Sequence, residues 1–186
     1  TSVSDNVITG GTGNDVIVLG TTIDTTAANS SNDTVTFADS FGVDTIVNFN
    51  SATEATAGVD LLDFTSYMDE TDTDGNGIVD DAISLVLASV LINTNEILVT
   101  STANSFVKPT ITAAADGVEN TGLVFAVHND TTANNAFWSD VHVADVYTAV
   151  ESDNGTTATV ALSYVGTIDL TDVAIASLVT NDFVAL

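Results

Sequence analysis

The feature that most constrains this chain is its charge. Twenty-six acidic side chains face a single basic one, Lys108, which gives a formal net charge of −25. Because 45% of the residues are apolar and the mean hydropathy is +0.34, the chain can bury a core, and we expect it to fold. Almost none of the carboxylates can be neutralised by an ion pair. Oxygen-rich, nitrogen-poor ligand sets select hard cations, so the composition predicts that Ca²⁺ supplies the missing counter-charge.

The same composition excludes several classes of protein. A chain this anionic repels phosphate backbones and anionic lipid headgroups, so we expect neither a nucleic-acid partner nor electrostatic docking to a membrane. The sequence contains no Cys, which rules out disulfides, thiolate metal sites and cysteine nucleophiles. No apolar run reaches the ~18 residues that cross a bilayer, so no transmembrane segment is predicted.

The first third of the chain carries a short internal repeat. Residues 10–18, GGTGNDVIV, fit the nonapeptide G-G-x-G-x-D-x-U-x at every fixed position. The four residues Asn6–Thr9 match its second half nine residues earlier, and residues 32–37 match it 18 residues later. An Asp-x-apolar step recurs at Asp44 and Asp60. The repeat predicts short strands separated by glycine-, asparagine- and aspartate-rich turns.

This pattern resembles the calcium-binding repeat region of RTX proteins that are exported by type I secretion. The resemblance implies a β-roll in which each nonapeptide forms a glycine-rich turn and a short strand, with Ca²⁺ between successive turns. Glycine permits positive φ and a close approach of carbonyl groups, and Asp closes the ion shell. The ligands expected on this basis are Asp15, Asp33, Asp44 and Asp60 together with the carbonyls of Gly10, Gly11 and Gly13.

A second acidic cluster follows the repeat. From Asp72 the string DTDGNGIVD places ligand types at the spacing of an EF-type loop, with Ile78 supplying a backbone carbonyl. The final position is Ile83 rather than a bidentate Glu, so the pattern favours a weak site; a solvated acidic turn is the alternative. The ligands expected in this loop are Asp72, Asp74, Asn76, Ile78 and Asp80.

Thirty Thr and 25 Val make the chain strongly β-prone. We expect an all-β or mostly β fold, with a short calcium-binding β-roll-like N-terminal part packed on a β-sandwich-like C-terminal part. The predicted domains are residues 1–65, the repeat region, and residues 66–186, the C-terminal β domain. One or two short helices are expected: a buried one from Asp80 through ISLVLASVLI, and a second candidate over Thr171–Val179 with Thr171 or Asp172 as its cap.

The last residues resemble the terminal tail of many type I secretion substrates, an acid followed by apolar residues. This tail comprises Asp182, Phe183, Val184, Ala185 and Leu186. The sequence starts at Thr1 with no secretory signal peptide, as expected for a fragment or a processed product. The type I secretion machinery is therefore an expected partner, and the expected location is outside the cell or on the bacterial surface.

Catalytic constellations are weak, and we do not expect an enzyme. His128 and His142 are the only histidines, no H-E-x-x-H or G-x-S-x-G motif occurs, and both histidines are interpreted as structural or surface residues. Phe137, Trp138, Tyr147 and Tyr164 would suit a sugar-binding platform, although such residues more often fill a core.

The sequence therefore predicts a calcium-dependent structural, assembly and secretion-targeting domain of an exported, S-layer-like surface protein. It would fold on Ca²⁺ outside the cell and self-associate into a lattice. The alternative is an adhesin or carbohydrate-binding module of an extracellular protein.

Overall fold

The structure, a computed structural model, confirms the expected all-β fold. Strands, turns and three-residue 3₁₀ helices make up the part of the chain that it describes. That part comprises residues 4–19, 31–38, 40–53, 58–67, 84–86, 90–91, 96–102, 108–115, 117, 121–128 and 140–184.

The first five strands alternate between two sheets, so the chain winds as a flattened coil. Their bounds are β1 Val7–Thr9, β2 Val16–Val18, β3 Thr34–Thr36, β4 Gly42–Val47 and β5 Leu61–Asp63. Strands β1, β3 and β5 form a three-stranded parallel sheet, whereas β2 and β4 pair in parallel at one edge of a seven-stranded sheet. The middle residue of each of these three-residue strands is the least exposed and points inward, two positions beyond the Asn or Asp that precedes the strand.

The next five strands alternate in the same way. Their bounds are β6 Ser84–Val86, β7 Val90–Leu91, β8 Glu96–Thr102, β9 Thr112–Ala113 and β10 Thr121–His128. Strands β6, β8 and β10 lie parallel in the seven-stranded sheet, and β7 pairs with β9 in a separate two-stranded sheet. The buried helix predicted from Asp80 is therefore wrong at residues 84–86 and 90–91. The periodicity of a short apolar run does not distinguish a helix from a buried strand. Here residues 84–86 form a strand because they pair with β8.

A long hairpin joins the two coiled parts. Strands β11, Asp140–Asp153, and β12, Ala158–Leu170, are antiparallel, and a turn over residues 154–157 connects them. The seven-stranded sheet has the order β2-β4-β12-β11-β10-β8-β6. All its strands except β11 run in one direction.

The seven-stranded sheet packs on both faces, although its outer face is open at β2. One face packs on the three-stranded sheet through a large core that includes Phe37, Phe64 and Phe125, and the opposite face carries a smaller core with Leu98 and Val124. Strand β10 is buried on both faces, which explains its continuous apolar sequence. The larger core draws residues from both predicted domains, and β4 pairs with β12 across them, so the boundary after residue 65 stays a prediction.

The helix predicted over Thr171–Val179 is reduced to a three-residue 3₁₀ helix, Ile175–Ser177, whose N-cap is Ala174. The two expected capping residues are engaged elsewhere. Thr171 donates its hydroxyl to the Asp172 carboxylate, and that carboxylate accepts the backbone N–H of Asn48. Tertiary contacts therefore remove the side chains that would start a longer helix.

We predict that Phe64→Ala destabilises the protein by about 3–5 kcal/mol, because it deletes the centre of an aromatic cluster. The Phe64 ring stacks on Phe37 at 4.4 Å between centroids and meets the edge of Phe125 at 5.3 Å. The free energy of unfolding from denaturant titration, under conditions where the native protein is folded, measures the effect. Val141→Ala, at an exposed strand position, is the control and should change stability by less than about 0.5 kcal/mol. Equal losses would contradict this description of the core.

Candidate metal centre

The predicted ligands lie in two columns, one at the start of each set of stacked strands. Asp15 directly precedes β2 and Asp44 is the third residue of β4, whereas Asn6, Asp33 and Asp60 precede β1, β3 and β5. Within each column, successive side chains meet one winding apart. The repeat thus brings together Asp15 with Asp44 and, separately, Asp33 with Asp60, as the stacking of turns predicts.

Each column is held by a reciprocal set of hydrogen bonds, which we call the Asn/Asp ladder. Two consecutive residues in each winding take part. The backbone N–H of the second residue donates to the carboxylate of the equivalent second residue one winding later. The side-chain oxygen of the first residue accepts the backbone N–H of the equivalent first residue in that later winding. The distances lie between 2.8 and 3.1 Å, and the linked dipeptides are Asp5–Asn6 with Asn32–Asp33, Asn14–Asp15 with Val43–Asp44, and Asn32–Asp33 with Val59–Asp60. These bonds pair N–H groups at the strand starts, and those that end on carboxylates are charge-assisted.

The ladder leaves carboxylates close together and away from water. Burial raises the pKa of Asp44 above its ordinary value; the N–H of Asp15 opposes this, and the Asp15 charge adds to it. Burial likewise raises the pKa of Asp60 to about 6, against hydrogen bonds from Asp33 and Asn50, and the Asp33 charge contributes in the same direction. A cation beside such a pair would favour the ionised forms.

The glycine-rich turn before β2 brings two windings into close contact. Gly11 and Gly13 have φ angles of 89° and 126°, which L side chains rarely adopt. A Cβ at Gly42 would overlap the carbonyl of Gly13, so the two backbones are too close at this point to leave room for a side chain. The pattern of glycines in the nonapeptide therefore has a direct steric reason.

The Asp15–Asp44 pair fits a hard cation better than the other column does. Asp15 Oδ2 is buried and has no hydrogen-bond partner among the described residues, and a Cβ at Gly10 would lie 3.0 Å from it. Asp44 Oδ1 accepts the N–H of Asp15 at 3.0 Å. In the described parts of the chain, no three or more His, Cys, Asp or Glu side chains converge on a point. Backbone carbonyls, which Ca²⁺ accepts as ligands, would have to complete a shell here.

The Asp33–Asp60 column is already satisfied by the protein. Asp60 Oδ1 accepts the N–H of Asp33 and Oδ2 accepts the N–H of Asn50, both at 2.9 Å. The Asn50 amide in turn donates to the carbonyl of Gly58 at 2.6 Å. This arrangement favours a structural part for Asp60 that needs no ion. The EF-type loop with Asp72, Asp74, Asn76, Ile78 and Asp80 lies outside the described residues, so that site stays a prediction.

The sequence missed a buried polar network on the central hairpin. His128 Nε2 lies 3.1 Å from Asp145 Oδ1, which also accepts the Thr167 hydroxyl at 2.7 Å. The Thr167 hydroxyl lies 2.8 Å from the hydroxyl of Tyr164. Because Asp145 stands between His128 and Thr167, the network ties β10, β11 and β12 together. The only feature of the sequence that pointed to this network was Asp145, an acidic residue within a strand of alternating apolar and polar residues.

The second histidine and the two tyrosines of the predicted sugar-binding platform make contacts within the protein. His142 Nδ1 lies 2.8 Å from the Asp140 carboxylate; burial raises the pKa of Asp140, but the hydrogen bonds and charge of His142 outweigh that and lower it. Tyr147 is only 7% exposed and packs edge-to-face on Tyr164, which is 50% exposed. The two rings therefore do not form one open platform; Phe137 and Trp138 lie outside the described residues.

The predicted secretion tail is partly built into the fold. Asp182 is fully buried, and its carboxylate accepts the N–H groups of Ala52 and Val179. Phe183 bridges to Leu62 on β5, and the Val184 N–H donates to the Leu62 carbonyl at 3.1 Å. Ala185 and Leu186 lie outside the described residues. The segment thus closes the outer edge of β5.

The chain has no match among models of known protein families, curated protein sequences or solved structures. Within the described residues, no helix is long and apolar enough to span a membrane. The resemblance to RTX proteins therefore depends on the repeat residues themselves.

We predict that the Asp60 carboxyl makes the protein less stable as pH rises. Its native pKa is about 6 against an ordinary value of 3.8, so the native state binds the proton more tightly than the unfolded state. The stabilising contribution is present below about pH 4 and is lost between pH 4 and 6, on the order of 2 kcal/mol.

The measurement is the free energy of unfolding from pH 4 to 7 at saturating Ca²⁺, for the parent chain and for Asp60→Asn. The difference between the two curves isolates this carboxyl, and the parent should lose stability relative to the variant as pH rises. Asp5→Asn, an exposed ladder position, is the control and should track the parent. Parallel curves for the parent and Asp60→Asn would contradict the prediction.

Proposed function

We propose that this chain is a calcium-dependent structural and assembly domain of an exported bacterial cell-surface protein, similar to RTX and S-layer-type proteins. Ca²⁺ bound in the glycine-rich turns drives its folding outside the cell. The C-terminal tail takes part in export through a type I secretion machinery.

The observation that carries this proposal is the turn between β1 and β2. It combines a complete nonapeptide, a buried Asp15 oxygen with no hydrogen-bond partner among the described residues, and a second carboxylate, Asp44, one winding away. A buried, uncompensated carboxylate is costly unless a cation or a donor meets it. Asp15 and Asp44, with the carbonyls of Gly10, Gly11 and Gly13, would hold the ion, which supplies positive charge and bridges two windings.

The chain's own residues provide the rest of the mechanism. With a net charge of −25, mutual repulsion opposes compaction, whereas the Asn/Asp ladder and the aromatic core favour it. Binding that occurs in the folded state and not in the unfolded state adds its free energy to folding by mass action. A chain of this kind stays extended at low Ca²⁺ and folds where Ca²⁺ is plentiful.

Export and surface location are supported by residues at the end of the chain. Asp182 and Phe183 belong to a tail of the acid-plus-apolar type that resembles type I secretion substrates. These two residues also close the edge of β5. The segment would therefore be recognised by the export machinery first and would cap the edge of β5 once the protein has folded.

Calcium removal should lower the thermal stability of the full chain and reduce its β-sheet signal. Circular dichroism with and without a chelator, followed by titration of Ca²⁺ back into the sample, measures both. The physical reason is the loss of ligand free energy together with restored repulsion between carboxylates. A chelated sample with the same spectrum and the same Tm as the calcium-loaded one would overturn the folding role.

Asp15→Ala tests the site with little disturbance to the ladder, since Asp15 contributes its backbone N–H to that ladder and alanine keeps it. We predict an apparent Kd for Ca²⁺ at least about tenfold weaker, which corresponds to about 1.4 kcal/mol. Asp140→Ala, which removes an exposed acid remote from the turns, is the matched control and should leave the Kd nearly unchanged. Calorimetric titration measures both, and equal effects would contradict the assignment.

A further inference from the structure

The two edges of the seven-stranded sheet run in the same direction. Strand β2 lies at one edge and β6 at the other, within the described part of the sheet, and the strands between them are parallel to both except for β11. A second copy that extends the sheet in the same sense would therefore set its β6 parallel to β2. A twofold-related copy would instead pair β2 with β2 antiparallel.

The backbone of β2 presents hydrogen-bonding groups at this edge. The Leu19 N–H donates to the Val47 carbonyl on β4, and the Asp15 carbonyl accepts the N–H of Thr45 on β4. The backbone N–H and C=O groups of odd-numbered residues in β2 therefore face β4. Because backbone groups alternate along a strand, those of Val16 and Val18 point away from β4. The side chains of these residues are 71% and 57% exposed, so an apolar row accompanies the free edge.

The column of the ladder that contains Asp15 and Asp44 also ends at β2. Asp44 accepts the N–H of Asp15, as Asp60 accepts that of Asp33, whereas no donor from the described residues reaches Asp15 Oδ2. In the other column the amide of Asn6 turns back to donate to Asp33 at 2.7 Å, which closes that column. At the far end of the coil, β5 is capped by Phe183 and Val184.

We propose that β2 is an assembly edge that receives β6 of a second copy in parallel register, so that copies add head to tail along the sheet. The inference rests on the assembly role proposed above and names its interface. Such a contact joins two different surfaces and does not close on itself, so it builds rows rather than dimers.

Charge sets the conditions for this contact. Two copies that each carry −25 repel one another, and both edge strands are only three residues long. Association should therefore be weak at low ionic strength without Ca²⁺ and strengthen when Ca²⁺ is bound.

Val18→Pro tests the edge. Proline removes the outward N–H of residue 18 and is tolerated on an edge strand, while the bonds from β2 to β4 remain. In calcium-loaded samples, sedimentation velocity over a concentration series should show association at least about tenfold weaker than for the parent chain. Val18→Thr keeps the N–H and the β-propensity and should associate like the parent. Circular dichroism and Tm establish that both variants are folded.

Cross-linking identifies the partner strand without depending on the proline variant. The chain contains no Cys, so one copy carrying Val18→Cys and another carrying Val86→Cys offer one thiol each. Neighbouring strands place Cα atoms within disulfide range, and mixing the two variants under mild oxidation should give mainly the mixed disulfide. Predominant Val18–Val18 cross-links would overturn the inference in favour of a twofold dimer.

A chain that folds on Ca²⁺ yet stays monomeric at every concentration would overturn the interface and leave the proposed folding role intact. A chain that shows no response to Ca²⁺ but still yields the mixed disulfide would overturn the folding role and support the interface. If Val18→Pro and Val18→Thr associate equally, the β2 edge is not the contact.

Discussion

The structure depends on backbone N–H groups that donate to Asp and Asn side chains one winding away. Three copies of this reciprocal bond pair link successive turns, and each one fixes the register of the strand that follows. Parallel strands of three residues have few main-chain bonds of their own, so the ladder supplies alignment that strand length cannot. The aromatic core can then pack between two correctly aligned sheets.

The ladder places anionic groups next to one another in a chain that has one basic residue. The raised pKa values of Asp44 and Asp60 have burial as their main cause and a neighbouring Asp as a second one. The backbone donates to both oxygens of Asp60, whereas Asp15 Oδ2 has no hydrogen-bond partner among the described residues. The same motif therefore yields a self-sufficient turn in one column and, in our proposal, an ion-requiring turn in the other.

Much of the first coil could be predicted because its pattern is local. The nonapeptide places Gly11, Gly13 and Asp15 at fixed spacing, and the inward positions of Ile17, Val35 and Leu62 follow from it. The dipeptides Asp5–Asn6, Asn14–Asp15 and Asn32–Asp33 were visible as well, but their reciprocal bonding needs the three-dimensional stacking of turns.

The second coil and the buried network could not be predicted in this way. Residues 84–86 lie in a largely apolar segment without periodicity, and only their pairing with β8 distinguishes strand from helix. The contact between His128 and Asp145 depends on the register between β10 and β11, including the irregularity after Val127, and no local pattern specifies it. Pairings between segments distant in the chain are the part that sequence periodicity leaves undetermined.

The pairing of β4 with β12 has a consequence for the order of folding. Asn48 and Asp172, which are hydrogen-bonded at this junction, are separated by 124 positions, and β5 is completed only by Phe183. Such high contact order slows folding, since loop-closure entropy must be overcome before the distant contacts form. The early windings consequently stay incomplete until residues near position 183 are available to pair, and in the export that we propose this order disfavours closure before the chain has left the cell.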